Sequence, residues 1–533
     1  MSGASAAVVC PEAAAANAGG EVLAAGGNAV DAAICAAFVQ GVVNPLMCGI
    51  GGTGRMLVYE ASTRQPTLVN FGTRAGSKAR PDTYSAVEPS IFSNRFRARN
   101  WENYIGHKAV AIPSFVRGVW DAHLRFGSLP WDRLLEPAIE LAANGFIVDE
   151  FIYRFWDPGR DQNSDSPPPL TKLTATEECA RIYLKGGEVY LVGERLVQTD
   201  YAETLRRIAA EGADVFYTGE IARTIAADFK GHGGLFTLED LGDCATDFEE
   251  PVRGVYKGLE VATEGSPSMG SLEISALHML ERIDLSSLGW RSAKYYHVLA
   301  RVFQAMYGDR TRYNADPHFV DVPEHLFLSR ERAARLAAQL ATDAPISAVL
   351  GASDADETTH VSVVDGCGNA AAVTHSNGNS AGVVTPGLGF LYNHHMHNFD
   401  PRPGQLNSIA PGKRPLFGCS PLMLLDGDRL RLVSGSKSRY RVTAEIQVLV
   451  DMFEFGADLE EAISNYRIHA EYAPDTVYVE PEVPTALSQS LSEMGWRCQV
   501  VDMAVPMCTV LRTAEGAVRA VADARGGDGL WLA

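Results

Sequence analysis

The sequence predicts an α+β fold in which two sheets pack between helical layers, and three observations carry that prediction. Apolar residues recur at three and four spacing through most of the first two thirds of the 533-residue chain. Short alternating strands separated by turn residues concentrate after Thr358. Helices and strands do not alternate in the regular order of a parallel sheet, so the helices are expected to cover the sheets as separate layers.

From Glu12 to Val42 an Ala-rich stretch has helical spacing, and GGN at Gly26 to Asn28 ends one helix and starts the next. The run NPLMCGIGGTGRMLVYEAS then turns through Gly49, Gly51 and Gly52 into an apolar strand, Met56 to Tyr59, that pairs with Thr67 to Phe71. The segments VRGVWDAHLRFG, WDRLLEPAIELAANGF, YAETLRRIAAEG, GEIARTIAADFKGHGG and RSAKYYHVLARVFQAMYGDRTRY predict one outer helical layer. A Pro-rich stretch, Asp157 to Leu170, is too short for an interdomain linker and reads as a surface loop. After a loose polar segment, Ala344 to Glu357, the strands Thr359 to Asp365 and Ala370 to Ser376 form a hairpin over GCGN. Further hairpins are expected at LMLLDGDRLRLVSG and CTVLRTAEGAVRAVAD, with a helix from Thr443 to Glu454 between them.

Bulk properties remove several function classes. A formal net charge of −19 argues against nucleic acid and against an anionic membrane surface, since both need a basic face. Nine cysteines, odd in number and without a C-x-x-C pair, read as small core residues in a reducing compartment. The first twenty residues lack a basic stretch ahead of an apolar core, and no apolar run reaches the roughly 18 residues of a membrane span. The expected location is the cytoplasm, with no membrane partner.

The stretch ETTHVSVVDGCGNAAAVTHSNGNS, Glu357 to Ser380, raises the chemical question. Thr358 is either an ordinary strand residue or a nucleophile, and a threonine hydroxyl needs a base to act as one. His360 shares its strand face and would make a cramped pair. Cutting the chain at Glu357–Thr358 instead frees an α-amine, of pKa about 7.7–8.0, on the nucleophile's own residue.

TTHVSVVDGCGN followed by GVVTPGLGFLYNHHMHNFDPRPGQLNSIAPGKRPLFGCSP resembles the small subunit of the γ-glutamyltranspeptidase family, self-cleaving hydrolases with an N-terminal nucleophile. The resemblance continues through LAAGGNAVDAA, GIGGTGRMLVY, VAIPSFVRGVWDAHLRFGSLPWDRLLEPAIELAANGFIV, GGLFTLEDL and YGDRTRYNADPHFV, in family order. It implies a precursor cut between Glu357 and Thr358 into a large subunit, 1–357, and a small subunit, 358–533, associated as one four-layer αββα sandwich. It places the nucleophile on Thr358 and the second hydroxyl on Ser376, or on Thr374 with a shifted alignment. The implied partners are a small-molecule acyl donor and a water or amine acceptor, and no cofactor or metal is implied.

Four departures from the family cluster on substrate recognition. The family's Asp-Phe-Arg, whose arginine grips the glutamate α-carboxylate, reads Asn70-Phe71-Gly72, with Arg74 two residues on and expected on the same strand face. Two family aspartates, one of which takes the substrate α-amine, become His397 and Asn398. Paired serines become Phe417-Gly418. The Gly-Gly oxyanion hole becomes Ser438-Arg439, where backbone N–H groups are retained and glycine's freedom is lost. Arg439 either replaces the missing charge or binds a different carboxylate. The alternatives are γ-glutamyl transfer or hydrolysis, hydrolysis of a non-glutamyl amide or of a C–C bond beside a carbonyl in antibiotic metabolism, and a processed but inactive binding protein.

Other motifs read more simply. On a strand His394 and His395 of NHHMHNF point to opposite faces, so at most His395 and His397 converge, and no metal is expected. GIGGTG lacks the Lys-Ser/Thr and following helix of a nucleotide loop. The small hydroxyls of GSPSMGS, Gly265 to Ser271, either face substrate or form an exposed turn. A helical scaffold that only binds a partner gives no reason for cleavage at Thr358.

Overall fold

The computed structural model describes residues 4–85, 87–89, 96–157, 166–340, 358–418, 420–471 and 475–533. Glu357, the whole polar segment before Thr358, most of the Pro-rich stretch and Cys419 lie outside the described residues. The GGN reading holds. α1 (Ala13–Ala24) gives way to α2 (Ala29–Val43), whose N-terminus is capped by the Asn28 side chain in a reciprocal capping box with Asp31. α2 is buried on every side, apolar apart from Asp31 in its capping box and Gln40.

The chain's first strand, β1 (Ala7–Glu12), precedes these helices. β2 (Thr53–Glu60) and β3 (Gln65–Phe71) pair antiparallel as expected and run longer than the apolar core of each signal. The helical runs fold as α3 (Phe115–Phe126), α4 (Trp131–Asn144), α5 (Thr199–Glu211) and α6 (Glu220–Gly231). Next come β4 (Asp247–Glu249), β5 (Val252–Tyr256) and β6 (Leu259–Thr263), then α7 (Gly270–Leu280) and α8 (Ala293–Tyr313). The β5/β6 hairpin sits where a helical layer was expected. Its two-residue turn, Lys257 at φ 50 and Gly258 at φ 82, has the positive dihedrals that a tight hairpin requires.

After Thr358 come β7 (Thr359–Val364), β8 (Ala370–Ser376), β9 (Leu422–Asp426) and β10 (Arg429–Ser434). α9 (Arg441–Glu454), β11 (Val510–Arg512), β12 (Val518–Ala520) and the C-terminal β13 (Asp528–Leu532) follow. One seven-stranded sheet has the order β4-β3-β2-β8-β7-β1-β13, and a six-stranded sheet the order β5-β6-β9-β10-β11-β12.

Strand alternation divides the core. Val58, Val69, Val361 and Val373 of the first sheet pack with residues of α1 to α6. Leu57, Tyr59, Leu68, Ala370 and Ala372, on its opposite face, pack with Ala262, Met423 and Val433 of the second sheet. Val261, Leu424 and Leu432, from the far side of the second sheet, pack with α7, α8 and α9. Anything on the even positions of β7 and β8, or the odd positions of β2, therefore points between the sheets. Among the described residues no helix is long and apolar enough to cross a membrane.

Candidate active site

Thr358 stands at the head of β7 and is 3% exposed. The β7:β8 register pairs Thr359 with His375 and His360 with Thr374, so one step further Thr358 lies across from Ser376. Directly opposed residues share a sheet face. Continued one residue past those pairs, the register sets Thr358 and Ser376 together on the face between the sheets, which favours Ser376 over Thr374 as the second hydroxyl. The Thr374 hydroxyl is engaged with His360 Nδ1 at 2.7 Å, while His360 Nε2 meets Ser362 at 3.0 Å. With both ring nitrogens taken, His360 is not the base for Thr358, and burial pushes its pKa down to about 3, which keeps it neutral. Gly435 makes this packing feasible, because a Cβ there would lie 2.2 Å from the His360 ring. Ser376 Oγ accepts the Gly378 N–H at 2.7 Å, which fixes its rotamer.

The other face of the strand pair is tied to α2. Gln40 Nε2 donates to Thr359 Oγ1 at 2.9 Å and to Glu12, while Asn44 donates to Glu12 at 2.7 Å. His375 Nε2 completes the cluster on Gln40 Oε1 at 2.8 Å. Burial raises the Glu12 carboxyl against the pull of Asn44 and Gln40. The bonds from Gln40 to Thr359 Oγ1 and the His360 carbonyl tie the start of β7 to α2 from behind.

On the site face, the register β8:β2:β3 sets Thr374, Arg55 and Asn70 in one row. Arg55 is 1% exposed and its Nε is ion-paired to Glu264. Ser268 Oγ donates to Glu264 at 2.5 Å, and Asn70 Nδ2 donates to the same carboxylate at 3.3 Å. Burial raises the Glu264 carboxyl, and Arg55 and Ser268 oppose the rise. The guanidinium lies 3.7 Å from the Phe417 ring centroid, and the other neighbour of that ring is His395 at 5.0 Å between centroids. His395 Nε2 sits 3.2 Å from the Ser376 carbonyl, and burial pushes its pKa down to about 3, so the neutral ring donates there. The GSPSMGS loop is therefore not an exposed turn: Ser268 serves Glu264, and Ser271 donates to Glu324 at 2.6 Å.

Sequence reasoning missed Arg55 and Glu264, although a lone arginine in the apolar run GRMLVY was the available signal. It also expected Arg74 on the strand face, and that is corrected. β3 ends at Phe71 because Asn70 Oδ1 accepts the Gly72 N–H at 3.0 Å, and Arg74 turns outward to Asp247 at 3.0 Å. Arg414 grips the same carboxylate. Arg439 is equally committed. Its Nε and Nη2 lie 3.1 and 2.8 Å from Glu471, which His469 also meets. Although burial would raise the Glu471 carboxyl, Arg439 and His469 hold it well below the usual range. Ser438 keeps the left-handed backbone that glycine favours, at φ 81, with its hydroxyl toward Met503 O at 3.3 Å.

Asn398 is 2% exposed, and among the described residues neither its Oδ1 nor its Nδ2 has a hydrogen-bond partner. Gly418 is buried beside Phe417. NHHMHNF is not a strand: residues His395–Asn398 form a 3-10 turn. His394 and His397, three apart, come together at 4.1 Å while His395 faces Ser376, so the expected convergence of His395 with His397 is corrected. Elsewhere, His107 Nε2 and His232 Nδ1 lie on the Asp228 carboxylate at 3.3 and 3.0 Å, a cluster with metal-ligating groups that their separation in sequence concealed.

The family model for gamma-glutamyltranspeptidase matches residues 15–531. The acylase ACY 1 proenzyme of Pseudomonas sp. (strain V22) is 35% identical over 485 residues, 90% of this chain and 84% of that one. The glutathione hydrolase proenzyme of Pseudomonas aeruginosa is 32% identical over 543 residues, 98% of this chain and 93% of that one. The solved cephalosporin acylase from Bacillus halodurans superposes with a TM-score of 0.85 at 25% identity, covering 100% of this chain and 96% of that one. The chain belongs to the gamma-glutamyltranspeptidase family, and it is an enzyme of the N-terminal-nucleophile hydrolase and acyltransferase kind.

Proposed function

We propose that the protein is a self-processing threonine acylase that hydrolyses or transfers a non-glutamyl acyl group. The observation that carries the reading is Thr358 at the buried head of β7, across from Ser376 and facing between the two sheets. Its relatives are named proenzymes, which supports cleavage at Glu357–Thr358 into chains 1–357 and 358–533. The succession of helices, sheet, sheet and helices supports a four-layer αββα sandwich held by both chains.

Once freed, the Thr358 α-amine takes the proton from Oγ1, which attacks the acyl carbonyl. The tetrahedral oxyanion is held by backbone N–H groups of the Ser438-Arg439 segment, presented by the left-handed turn at Ser438. The leaving amine departs with the proton from the α-ammonium, and water or another amine then attacks the threonyl ester. The non-glutamyl assignment rests on Asn398, whose amide brings no charge for an ammonium, and on Arg74 and Arg439, both already ion-paired. Mass spectrometry of the small chain after a slow acyl donor tests this reading. The expected adduct is an ester on Thr358, and an adduct on a cysteine would refute it.

A further inference from the structure

Inside that site, one guanidinium nitrogen is left unused by the described residues. Arg55 Nη2 is buried and, among the described residues, has no hydrogen-bond partner, although Nε of the same group is bound to Glu264. Two more groups, both on the 3-10 turn whose His395 packs on Phe417, share this condition: His395 Nδ1, and both atoms of the Asn398 amide. Buried polar atoms are almost always paired in a native protein, so an unpaired donor on the face that Thr358 shares is a place where a bound ligand completes the bonding. Gly72 keeps the approach to Arg55 clear, because a Cβ there would stand 3.2 Å from Nη2. From ordinary sheet spacings the Arg55 backbone lies about 12 Å from that of Thr358, two strands across and two residues along. The guanidinium leads back toward Thr358 through the Phe417 ring it touches and through His395, which bonds the Ser376 carbonyl.

We infer that Arg55, on β2, anchors the far end of the acyl group, and that the anchored group is an uncharged hydrogen-bond acceptor, a keto, amide or lactam oxygen, rather than a carboxylate. The inference rests on Thr358 as nucleophile and adds the substrate class. Charge balance selects the neutral acceptor. On this side of the site Arg55, Arg74 and Arg414 face Glu264, Asp247 and Glu249, three cations against three anions. A substrate carboxylate on Nη2 would be a second anion on a guanidinium that Glu264 already neutralises, in a place too buried for water to screen it. A carbonyl oxygen takes the N–H without that repulsion. Asn398 and the neutral His395 are likewise uncharged, so nothing in this set calls for a zwitterionic glutamyl end.

The test uses the processed enzyme and two acyl 4-nitroanilides of equal length, glutaryl, ending in a carboxylate, and glutaramoyl, ending in a primary carboxamide. The wild type is expected to favour the carboxamide donor at least tenfold in kcat/KM. Arg55→Gln should lose at least tenfold on that donor, mostly through KM, while Glu264→Gln, which removes the matching charge, should shift preference at least tenfold toward the carboxylate donor. Chain cleavage and the unfolding midpoint of each variant show whether it is folded. Calorimetric binding of glutaramate and glutarate to the wild type decides the question without turnover: tighter glutaramate supports the inference, and equal or tighter glutarate overturns it. A carboxylate-preferring wild type whose ester still forms on Thr358 overturns this inference and leaves the proposed function standing, whereas carboxamide-selective binding without a Thr358 ester does the reverse.

Discussion

Lowering the pH from 7 to 5.5 should weaken the fold through three histidines. His360, His375 and His395 are fully enclosed, and burial pushes each down to about 3. In the unfolded chain a histidine titrates at about 6.5. Between about pH 6.5 and 3 the unfolded chain therefore binds protons that the native protein refuses, so stability falls as pH falls through that window. From pH 7 to 5.5 this costs about 1.3 kcal/mol for each histidine, and about 4 kcal/mol for the three together. Glu445 opposes the trend, because burial raises its carboxyl to about 7 and the native protein then gains a proton over the same range. The histidine contribution is best isolated by comparison with His375→Gln, which keeps a donor toward Gln40. Urea unfolding of both proteins at both pH values should show the variant losing about 1 kcal/mol of the pH dependence. An unchanged pH dependence would mean that His375 titrates normally, and would refute the reasoning from burial.

Arg439→Ala should destabilise the fold by about 3 kcal/mol by stranding the buried Glu471 carboxylate, with KM little changed in whatever protein remains folded; a KM effect in a fully stable variant would return Arg439 to substrate binding. Arg74→Ala should cost under about 1 kcal/mol, since its ion pair is well exposed, and a tenfold rise in KM would contradict its outward placement. Ser438→Gly removes a side chain from a left-handed position and should raise stability by up to about 1 kcal/mol in urea unfolding, a loss of that size being the contrary result. The acylation rate should rise with pH through about 7–8 as the Thr358 amine loses its proton, and a flat profile would exclude that amine as base.

The nucleophile hairpin was legible because alternation and a Gly-rich turn are local signals, and the GGN break was legible because Asn28 caps the helix that follows it. β1 was not, since a strand buried on both faces has no alternation to read, and its neighbours β7 and β13 are hundreds of residues away. The β5/β6 hairpin alternates around KG, but it is embedded among helices whose periodicity dominated the reading. In the site, Thr358 and Ser376 follow from strand parity, whereas the fate of each arginine depends on partners that sequence does not place beside it. Arg74 needed Asp247, Arg439 needed Glu471, and Arg55 needed Glu264, 209 residues away. Asn70 shows the same limit locally, because its side chain ends β3 and so turns Arg74 away from the face where strand geometry would have put it.

The most direct measurement is the identity of the small chain's first residue in freshly purified protein, by intact mass and N-terminal sequencing. The account predicts two chains, the smaller beginning at Thr358, and a single uncut chain for Thr358→Ala. A wild-type protein that stays in one piece while hydrolysing an acyl donor at full rate would contradict it, because Thr358 would then have no free amine and the site no base.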